Sequence, residues 1–546
     1  MPASFLVPRV LAGHAAVMSS EARGHDLFIH NARFFERDDA DCALALDGRF
    51  AFVGRASDAN VPVGVPRFNA GGRLVLPGFV DAHAHLLNTG FAKRSIDLKD
   101  VASVEDALRR VAERAAVTPA GAWLRGAGWD QHRWPSGAFP TRQQLDAAAP
   151  KHPAILVHTS GHCVWVNSAA LRAAGVTSAT ASPPGGAIDH GDDGEPTGIL
   201  RDNAARLVEA IVPHPPPDER IAALRDAVAH AHALGVTGAH AMDVGRGEYQ
   251  TLLALRDAGM LRFRVRPFMT ATRLDEWFER ALQTGDGDEM LRIGGVKFFA
   301  DGALGSLTAW MEDPYEGSED RGFPLQPVEV LERDVRRCLD HGLAPAVHAI
   351  GDRANHEVLD MFERLRDIAP QLSRRIEHAQ ALRLADIPRF AALAVTASMQ
   401  PIHATQDWRK VDRYWGERGR HAYAFASLAA TGASIAFGSD TPVETMDPLA
   451  GLRAAMTRQS ASAEPDRGWY PDERLTFSQA LAMYTRGPAA ALGEGRSSGR
   501  IAEGYHADCV VLDGPLPSAI NEWWEAAPRV AVTIVAGALV FQSAED

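Results

Sequence analysis

The chain has 546 residues and a formal net charge of −13, with 46% hydrophobic and 23% charged residues. This length exceeds one ordinary domain and the composition is that of a globular enzyme, so we expect a large catalytic domain and a smaller companion. The net negative charge opposes binding to nucleic acid, and no run of about 18 apolar residues predicts a transmembrane helix.

The cysteines and the N-terminal stretch bear on the compartment. The four cysteines are widely spaced and lack any CxxC pair: Cys42, Cys163, Cys338 and Cys509. This spacing predicts neither a disulfide framework nor a Cys-rich zinc site and favours a cytoplasmic location. Residues 1–25 are mildly apolar but interrupted by His14, so we expect an N-terminal extension rather than a signal peptide.

Short apolar runs separated by turns mark both ends of the chain. Residues 26–75 include CALALDGRFAFVG, in which Asp47-Gly48 is a strong hairpin dipeptide. Residues 498–546 include ADCVVLD and VAVTIVAGALVF, which are also typical of strands. We predict that the two ends fold together into one small β-sandwich domain.

Residues 76–497 alternate helical segments with short buried strands, the pattern of a parallel sheet. About eight strands are counted, which favours an α/β fold built as a (β/α)₈ TIM barrel. A doubly wound open sheet is the alternative, but no GxGxxG follows a first strand. Residues 117–215 break the alternation and are rich in Trp, Gly, Pro and His, so we predict a substrate-capping insertion over the barrel mouth.

His83 and His85 end the first predicted barrel strand, within LPGFVDAHAHL. Side chains two apart on a strand point to the same face, so both imidazoles can bind one metal ion at the barrel mouth. An isolated HxH is often structural, with one ring in the core and the other in solvent. Its position at the end of an apolar strand favours the metal site.

Four more candidates lie at predicted strand ends. They are His348 in APAVHAIGD, His378 in RRIEHAQ, Asp440 in SIAFGSD and Lys297 in IGGVKFFADG. A single histidine at a strand end is commonly a core or surface residue, but several on one predicted rim favour a shared site. A lysine inside an apolar run is costly to bury without a partner or a modification.

These segments resemble the amidohydrolase superfamily, and within it amidohydrolase family 3, the branch that includes N-substituted formamide deformylases. The resemblance covers nearly the whole chain from about residue 26. The segments that carry it are LPGFVDAHAH, VKFFADGALGSLTAW, VHAIGDRAN, IEHAQ, FGSDTPVE and GYHADCVVLD.

The resemblance implies a metal centre at the barrel mouth. Its implied ligands are His83, His85, Lys297, His348, His378 and Asp440. Lys297 occupies the position where many relatives hold a carboxylated lysine bridging two metals, which suits a binuclear site. An unmodified lysine beside a single zinc remains the alternative. The expected cofactor is zinc, as one or two ions, with other divalent metals as alternatives.

The implied chemistry is hydrolysis of an amide-type, non-peptide C–N bond. Zinc lowers the pKa of a bound water from about 16 to about 7, and so supplies hydroxide at neutral pH. Asp440 is the expected general base and then acid, carrying the proton to the leaving amine.

Five further residues are weaker candidates. Trp129, His162, Asp301 and His403 are predicted substrate contacts, whereas His240 is more simply interpreted as structural. Trp129 and His162 belong to the insertion, Asp301 follows Lys297, and His403 follows the seventh predicted strand.

The sequence is also compatible with other functions. The same centre could hydrolyse an ester, a lactone or a carbamate. Deamination is disfavoured because relatives that deaminate usually place a Glu three residues after the fifth-strand histidine, where this chain has Gly351. A non-catalytic binding protein on the same scaffold is a further alternative. The expected partner is a small-molecule substrate, and a homodimer is compatible with the sequence.

Overall fold

The computed structural model describes residues 25–99, 101–158, 163–183, 186–517, 523 and 527–544. The expected N-terminal extension falls outside the described residues, apart from its last position. The described residues form two compact units, one within residues 1–86 together with 228–546 and the other within residues 87–227. In the described parts of the chain, no helix combines the length and apolarity that a bilayer crossing needs.

The first unit contains an eight-stranded parallel sheet whose strands follow one another in chain order. The barrel strands are β7 (Phe79–Ala84), β14 (Val236–Val244), β15 (Arg264–Thr270), β16 (Gly295–Phe299), β17 (Pro345–Ala349), β18 (Arg374–His378), β19 (Val395–Met399) and β20 (Ile435–Phe437). The first and last strands meet where the Asp440 N–H donates to the His83 carbonyl at 2.7 Å and the His85 N–H to the Thr441 carbonyl at 2.9 Å. The predicted (β/α)₈ barrel is therefore confirmed.

Both ends of the chain supply the strands of two further sheets in the same unit. One sheet contains β1 (Leu27–His30), β3 (Cys42–Leu46), β4 (Arg49–Gly54) and β5 (Arg67–Asn69). The other contains β2 (Arg33–Phe34), β6 (Leu74–Pro77), β21 (Cys509–Asp513), β22 (Arg529–Val535) and β23 (Ala538–Gln542). Buried residues of both sheets, such as Ile29 and Val511, form one core, as expected for a sandwich.

The predicted hairpin at Asp47-Gly48 is confirmed. Strand β3 pairs antiparallel with β4, and Leu46 faces Arg49 across the turn. Asp47 and Gly48 have φ values of 49° and 78°, which is the left-handed backbone that both central residues of a type I′ turn require.

A buried ion pair joins the sandwich to the bottom of the barrel. Arg264, at the start of β15, donates to both carboxylate oxygens of Asp508 at 2.6 and 2.9 Å. Asp508 also accepts the Ala536 N–H at 2.8 Å. Burial acts to raise the pKa of Asp508, but Arg264 outweighs that effect, so the pKa lies below its ordinary value.

The second unit is a mixed six-stranded sheet with helices. Its strands are β8 (Ile96–Asp97), β9 (Leu124–Trp129), β10 (Ala154–His158), β11 (Cys163–Val166), β12 (Gly186–His190) and β13 (Pro196–Asp202). Alternate residues of β10 belong to two different cores, Leu156 to one and Ile155 to the other, so both faces of this sheet are covered. The unit begins earlier and ends later than the expected insertion 117–215, and its capping role stays a prediction.

The helices alternate with the barrel strands from β14 onward. The α-helices are α1 (Leu86–Arg94), α2 (Val104–Val117), α3 (Arg142–Ala148), α4 (Ser168–Ala173), α5 (Arg206–Glu209), α6 (Pro217–Ala233), α7 (Arg246–Asp257), α8 (Leu274–Glu279), α9 (Val328–Asp340), α10 (Asp352–Arg364), α11 (Ile387–Ala392), α12 (Pro401–Tyr414), α13 (Phe425–Ala430), α14 (Pro448–Thr457) and α15 (Phe477–Ala491). In such a barrel the strand ends and the loops after them form one face, where active sites lie.

Candidate metal centre

The strand-end residues predicted from the sequence come together at the carboxyl end of the barrel. His83, His378 and Asp440 each offer a ligand atom, and these atoms all lie within 4.8 Å of one another. Asp440 Oδ1 is 3.4 Å from His83 Nε2 and 3.3 Å from His85 Nε2. The His348 ring centroid is 4.6 Å from that of His378, so a fourth imidazole lies beside this group.

Each of three imidazoles has one nitrogen held by an oxygen acceptor. Glu377 Oε2 lies 2.6 Å from His83 Nδ1, Gln400 Oε1 lies 2.8 Å from His378 Nδ1, and the Gly302 carbonyl lies 2.9 Å from His348 Nε2. An oxygen acceptor requires an N–H, so in the neutral imidazole the opposite ring nitrogen carries the lone pair. This is how metal-binding histidines are oriented in proteins.

The electrostatics of these groups fit a bound cation. Burial, with Lys297 nearby, lowers the pKa of His348 to about 3, and burial together with His348 holds that of His378 well below its ordinary value. Both rings are therefore neutral, the form that binds a metal. Burial acts to raise the pKa of Asp440, but His83 and His85 outweigh it, so Asp440 is a carboxylate.

His83 provides the most direct indication that a cation belongs here. Its ring is fully buried, and among the described residues Nε2 has no hydrogen-bond partner. Burial and Lys297 act to lower the pKa of His83, but Asp440 and Glu377 raise it above its ordinary value. An imidazole between two buried carboxylates lies in surroundings that favour positive charge, and neutral imidazole with carboxylate is a donor set that zinc uses.

Lys297 lies on β16 and is 1% exposed. Its Nζ is 4.9 Å from the centre of the Phe299 ring, and in the described parts of the chain no carboxylate oxygen lies within 4.0 Å of it. Burial lowers the pKa of Lys297, and the more distant Glu377 and Asp440 offset only part of that effect. The sequence-based expectation of a buried lysine at this strand is thus met, and its role as a ligand stays a proposal.

The contact between the first and eighth barrel strands places His83 beside Asp440. Asp81 is buried and accepts the His83 and Ser439 N–H groups, each at 3.0 Å, and the Ser439 hydroxyl at 2.5 Å. A Cβ on Gly438 would lie 2.4 Å from His83 N, so only glycine allows the two strands to approach this closely. Asp440 itself adopts a left-handed backbone with φ of 59°, a conformation that non-glycine residues seldom adopt outside functional or tightly constrained positions.

Two of the weaker candidates lie next to the centre. His403, on α12, is buried, stacks on His378 with ring centroids 6.2 Å apart, and places Nε2 4.0 Å from Asp440 Oδ2. Asp301 is fully buried and lies 3.6 Å from His348 Nε2. The Asp301 carboxylate accepts three backbone N–H groups: Trp310, Ile350 and Gly351. Burial raises the pKa of Asp301 to about 7 against the effect of these donors.

Of the other two candidates, Trp129 belongs to the second unit. It is fully buried, and its Nε1 donates to the Leu156 carbonyl at 2.8 Å. Its ring lies 4.6 Å from that of His158. His162 lies outside the described residues. The predicted substrate contacts of both residues stay predictions.

Sequence reasoning missed the charged pair Arg375 and Glu377, on the strand that ends at His378. Arg375 donates from Nε to Glu377 Oε1 at 2.5 Å and from Nη1 to His240 Nδ1 at 2.8 Å. His240 is therefore an acceptor for Arg375, which agrees with its interpretation as a structural residue. The alternation in RRIEH places Arg375 and Glu377 on one face of a buried strand, a signal that could have identified them.

Comparisons with known proteins agree with this geometry. Residues 68–541 match the profile of the Amidohydrolase family. The protein LONG AFTER FAR-RED 3 of Arabidopsis thaliana is 32% identical over 535 residues, which cover 94% of this chain and 90% of that protein. The N-substituted formamide deformylase of Arthrobacter pascens is 29% identical over 549 residues, covering 95% of this chain and 98% of that protein.

A solved structure shares both the fold and the extent of the chain. An uncharacterized metal-dependent hydrolase from Pyrococcus furiosus aligns with a TM-score of 0.77 and 28% identity, covering 90% of this chain and 99% of that one. Together with the converging histidines and Asp440, these likenesses identify a metal-dependent hydrolase. The chain belongs to the amidohydrolase family.

Proposed function

We propose that this protein hydrolyses an amide-type, non-peptide C–N bond at the barrel mouth. The observation that carries the proposal is the convergence of His83, His85 and His378 on Asp440, with the His348 ring beside that of His378. The similarity to the Arthrobacter pascens deformylase, which extends over nearly the full length of both chains, favours a substrate of the N-acylated or N-formylated amine class.

The proposed ligands are the six strand-end residues, with zinc as the cation. His83 and His378 would donate through Nε2 and His348 through Nδ1, because the opposite nitrogens are occupied by hydrogen bonds. For two ions, Lys297 would bind as its carbamate; a buried amine without an adjacent carboxylate can lose its proton and add CO₂. With an unmodified Lys297, the site would hold a single ion.

A divalent cation held here would polarise the scissile carbonyl and make water more acidic. The chain supplies the proton transfer. Asp440, kept as a carboxylate by the neighbouring imidazoles, would take the proton of the attacking water and return it to the leaving nitrogen. His403, whose Nε2 is 4.0 Å from Asp440 Oδ2, would contact the substrate or hold that carboxylate in position, and Asp301 would act by holding the loop beside His348.

The local geometry disfavours deamination. Gly351 occupies the position where deaminating relatives usually carry a Glu. A Cβ added there would lie 2.0 Å from the Trp310 carbonyl oxygen, so this position has no room for a side chain. Ester, lactone or carbamate hydrolysis stays the alternative, since the same proton transfer serves those bonds.

A metal analysis followed by a substrate screen tests the proposal. The protein would be assayed for bound zinc and then for turnover of N-formyl amines, N-acyl amino acids, lactones and aryl esters, before and after chelation. We expect bound zinc, turnover of the amides, and loss of that turnover on chelation. Turnover of esters or lactones alone would support the alternative, whereas a protein that binds no metal would contradict the proposal.

A further inference from the structure

A buried ion pair lies next to the proposed metal centre, in the interior of the barrel. Its members are Arg375 and Glu377, both fully buried on strand β18. Burying an ion pair is costly unless the geometry is good and each remaining polar group is satisfied. The proposed reaction uses neither residue, so their presence in the barrel interior calls for another role.

Arg375 is held from four sides. Its Nη2 donates to the Ala82 carbonyl and to Ser398 Oγ, each at 2.8 Å, and its Nη1 donates to His240 Nδ1 at 2.8 Å. Its guanidinium also lies 4.9 Å from the centre of the Phe268 ring. These contacts reach strands β7, β14, β15 and β19, so the barrel walls determine where the guanidinium lies.

Arg375 in turn determines where the Glu377 carboxylate lies. Nε donates to Oε1 at 2.5 Å and Nη2 to Oε2 at 3.2 Å, a two-bond contact that sets the plane of the carboxylate. Glu377 Oε2 also accepts a hydrogen bond from His83 Nδ1 at 2.6 Å. A chain of charge-assisted hydrogen bonds therefore runs from the barrel wall to the first ligand of the proposed site.

We infer that Glu377 is a positioning residue that holds His83 as the Nδ1–H tautomer and directs Nε2 towards the cation, with Arg375 holding Glu377. The inference rests on the proposed function. His83 differs from its neighbours, because His378 and His348 donate to a neutral amide and a neutral carbonyl, whereas His83 donates to a carboxylate. An anionic hydrogen-bond acceptor raises the basicity of an imidazole and makes its other nitrogen a stronger metal ligand. Among these three histidines, His83 would therefore bind the metal most strongly.

The test is the zinc affinity of Glu377→Gln in the full-length protein, measured by competition with a chromogenic chelator. We expect affinity to fall by about 10- to 100-fold, the usual cost of losing such a partner. The matched control is Glu494→Gln, which makes the same change in a pair formed by a buried arginine and a partly buried glutamate, where Arg266 Nε donates to Glu494 Oε1 at 2.8 Å. The control should keep wild-type affinity. With cobalt(II) in place of zinc, only Glu377→Gln should alter the visible absorption bands.

A double-mutant cycle separates positioning from general stability. If Glu377 acts through His83, then Glu377→Gln should weaken zinc binding no further in a His83→Ala background. Equal losses with and without His83 would overturn the inference. If Glu377→Gln shows no cooperative unfolding transition, and so is not properly folded, Glu377→Asp is used instead. This variant keeps the charge beside Arg375 but draws the carboxylate back from His83 Nδ1, and the same loss of zinc affinity is expected.

The outcomes distinguish the two proposals. A wild-type protein that binds no zinc would defeat the proposed function and the inference together. If the wild-type protein binds zinc and hydrolyses an amide, and Glu377→Gln or Glu377→Asp binds zinc equally well, the inference alone is refuted.

Discussion

Replacing Asp440 with Asn tests the proposed proton transfer most directly. Asp440 Oδ1 lies 3.3 Å from His85 Nε2 and 3.4 Å from His83 Nε2, and an amide oxygen can occupy the same position. The imidazoles still converge, so we expect metal content close to that of the wild type. The amide cannot take or return a proton, so kcat should fall by about 10²- to 10⁴-fold. At about 1.4 kcal/mol for each factor of ten, this is about 3 to 6 kcal/mol of activation free energy.

The assay compares metal content with the initial rate on the best substrate of the screen. The matched control is Asp447→Asn in the same loop. Asp447 caps helix α14 by accepting the Leu449 N–H at 2.9 Å, and asparagine caps helices equally well, so this variant should behave as the wild type. Near-wild-type turnover of Asp440→Asn would refute the proton-transfer role. If the variant loses both the metal and its turnover, Asp440 acts mainly as a metal ligand.

Three further predictions concern stability and the integrity of the site. Asp508→Ala removes the main partner of the buried Arg264 and leaves it only the more distant Glu289, whose Oε2 lies 3.9 Å from Arg264 Nη1, so the free energy of unfolding should drop by about 3 kcal/mol in denaturant melts; a drop below about 1 kcal/mol would contradict this. Gly438→Ala forces a methyl group against the His83 backbone, so the amount of bound zinc should fall even if the protein stays folded. Full zinc content would contradict the conclusion that the first and eighth barrel strands need a glycine here. Removing the metal with a chelator should lower Tm, and re-adding zinc should restore it; an unchanged Tm would argue against a ligand-stabilised centre.

Much of the site could be predicted because a parallel barrel has a simple geometry. Its strands all end on one face, so His83, His348, His378 and Asp440 are expected to lie near one another once each is placed at a strand end. The hairpin at Asp47-Gly48 was predictable for a similarly local reason, since two positive φ values demand those residue types.

The network beneath the site could not be predicted in the same way. The bond between His83 and Glu377 joins residues 294 positions apart, and it depends on the stagger of strands β7 and β18 around the barrel. Nor does periodicity indicate which ring nitrogen of a histidine is occupied, because the acceptors of His378 and His348 come from the neighbouring strand end and from a loop.

The sequence by itself determined the family, the barrel and the six strand-end residues, because motif spacing and strand periodicity are local properties of the chain. Only the tertiary structure decided which imidazole nitrogens are free, why Gly351 has no room for a side chain, and that Arg375 and Glu377 support His83. Those features arise from contacts between segments that are distant along the chain, and local sequence patterns do not specify such contacts.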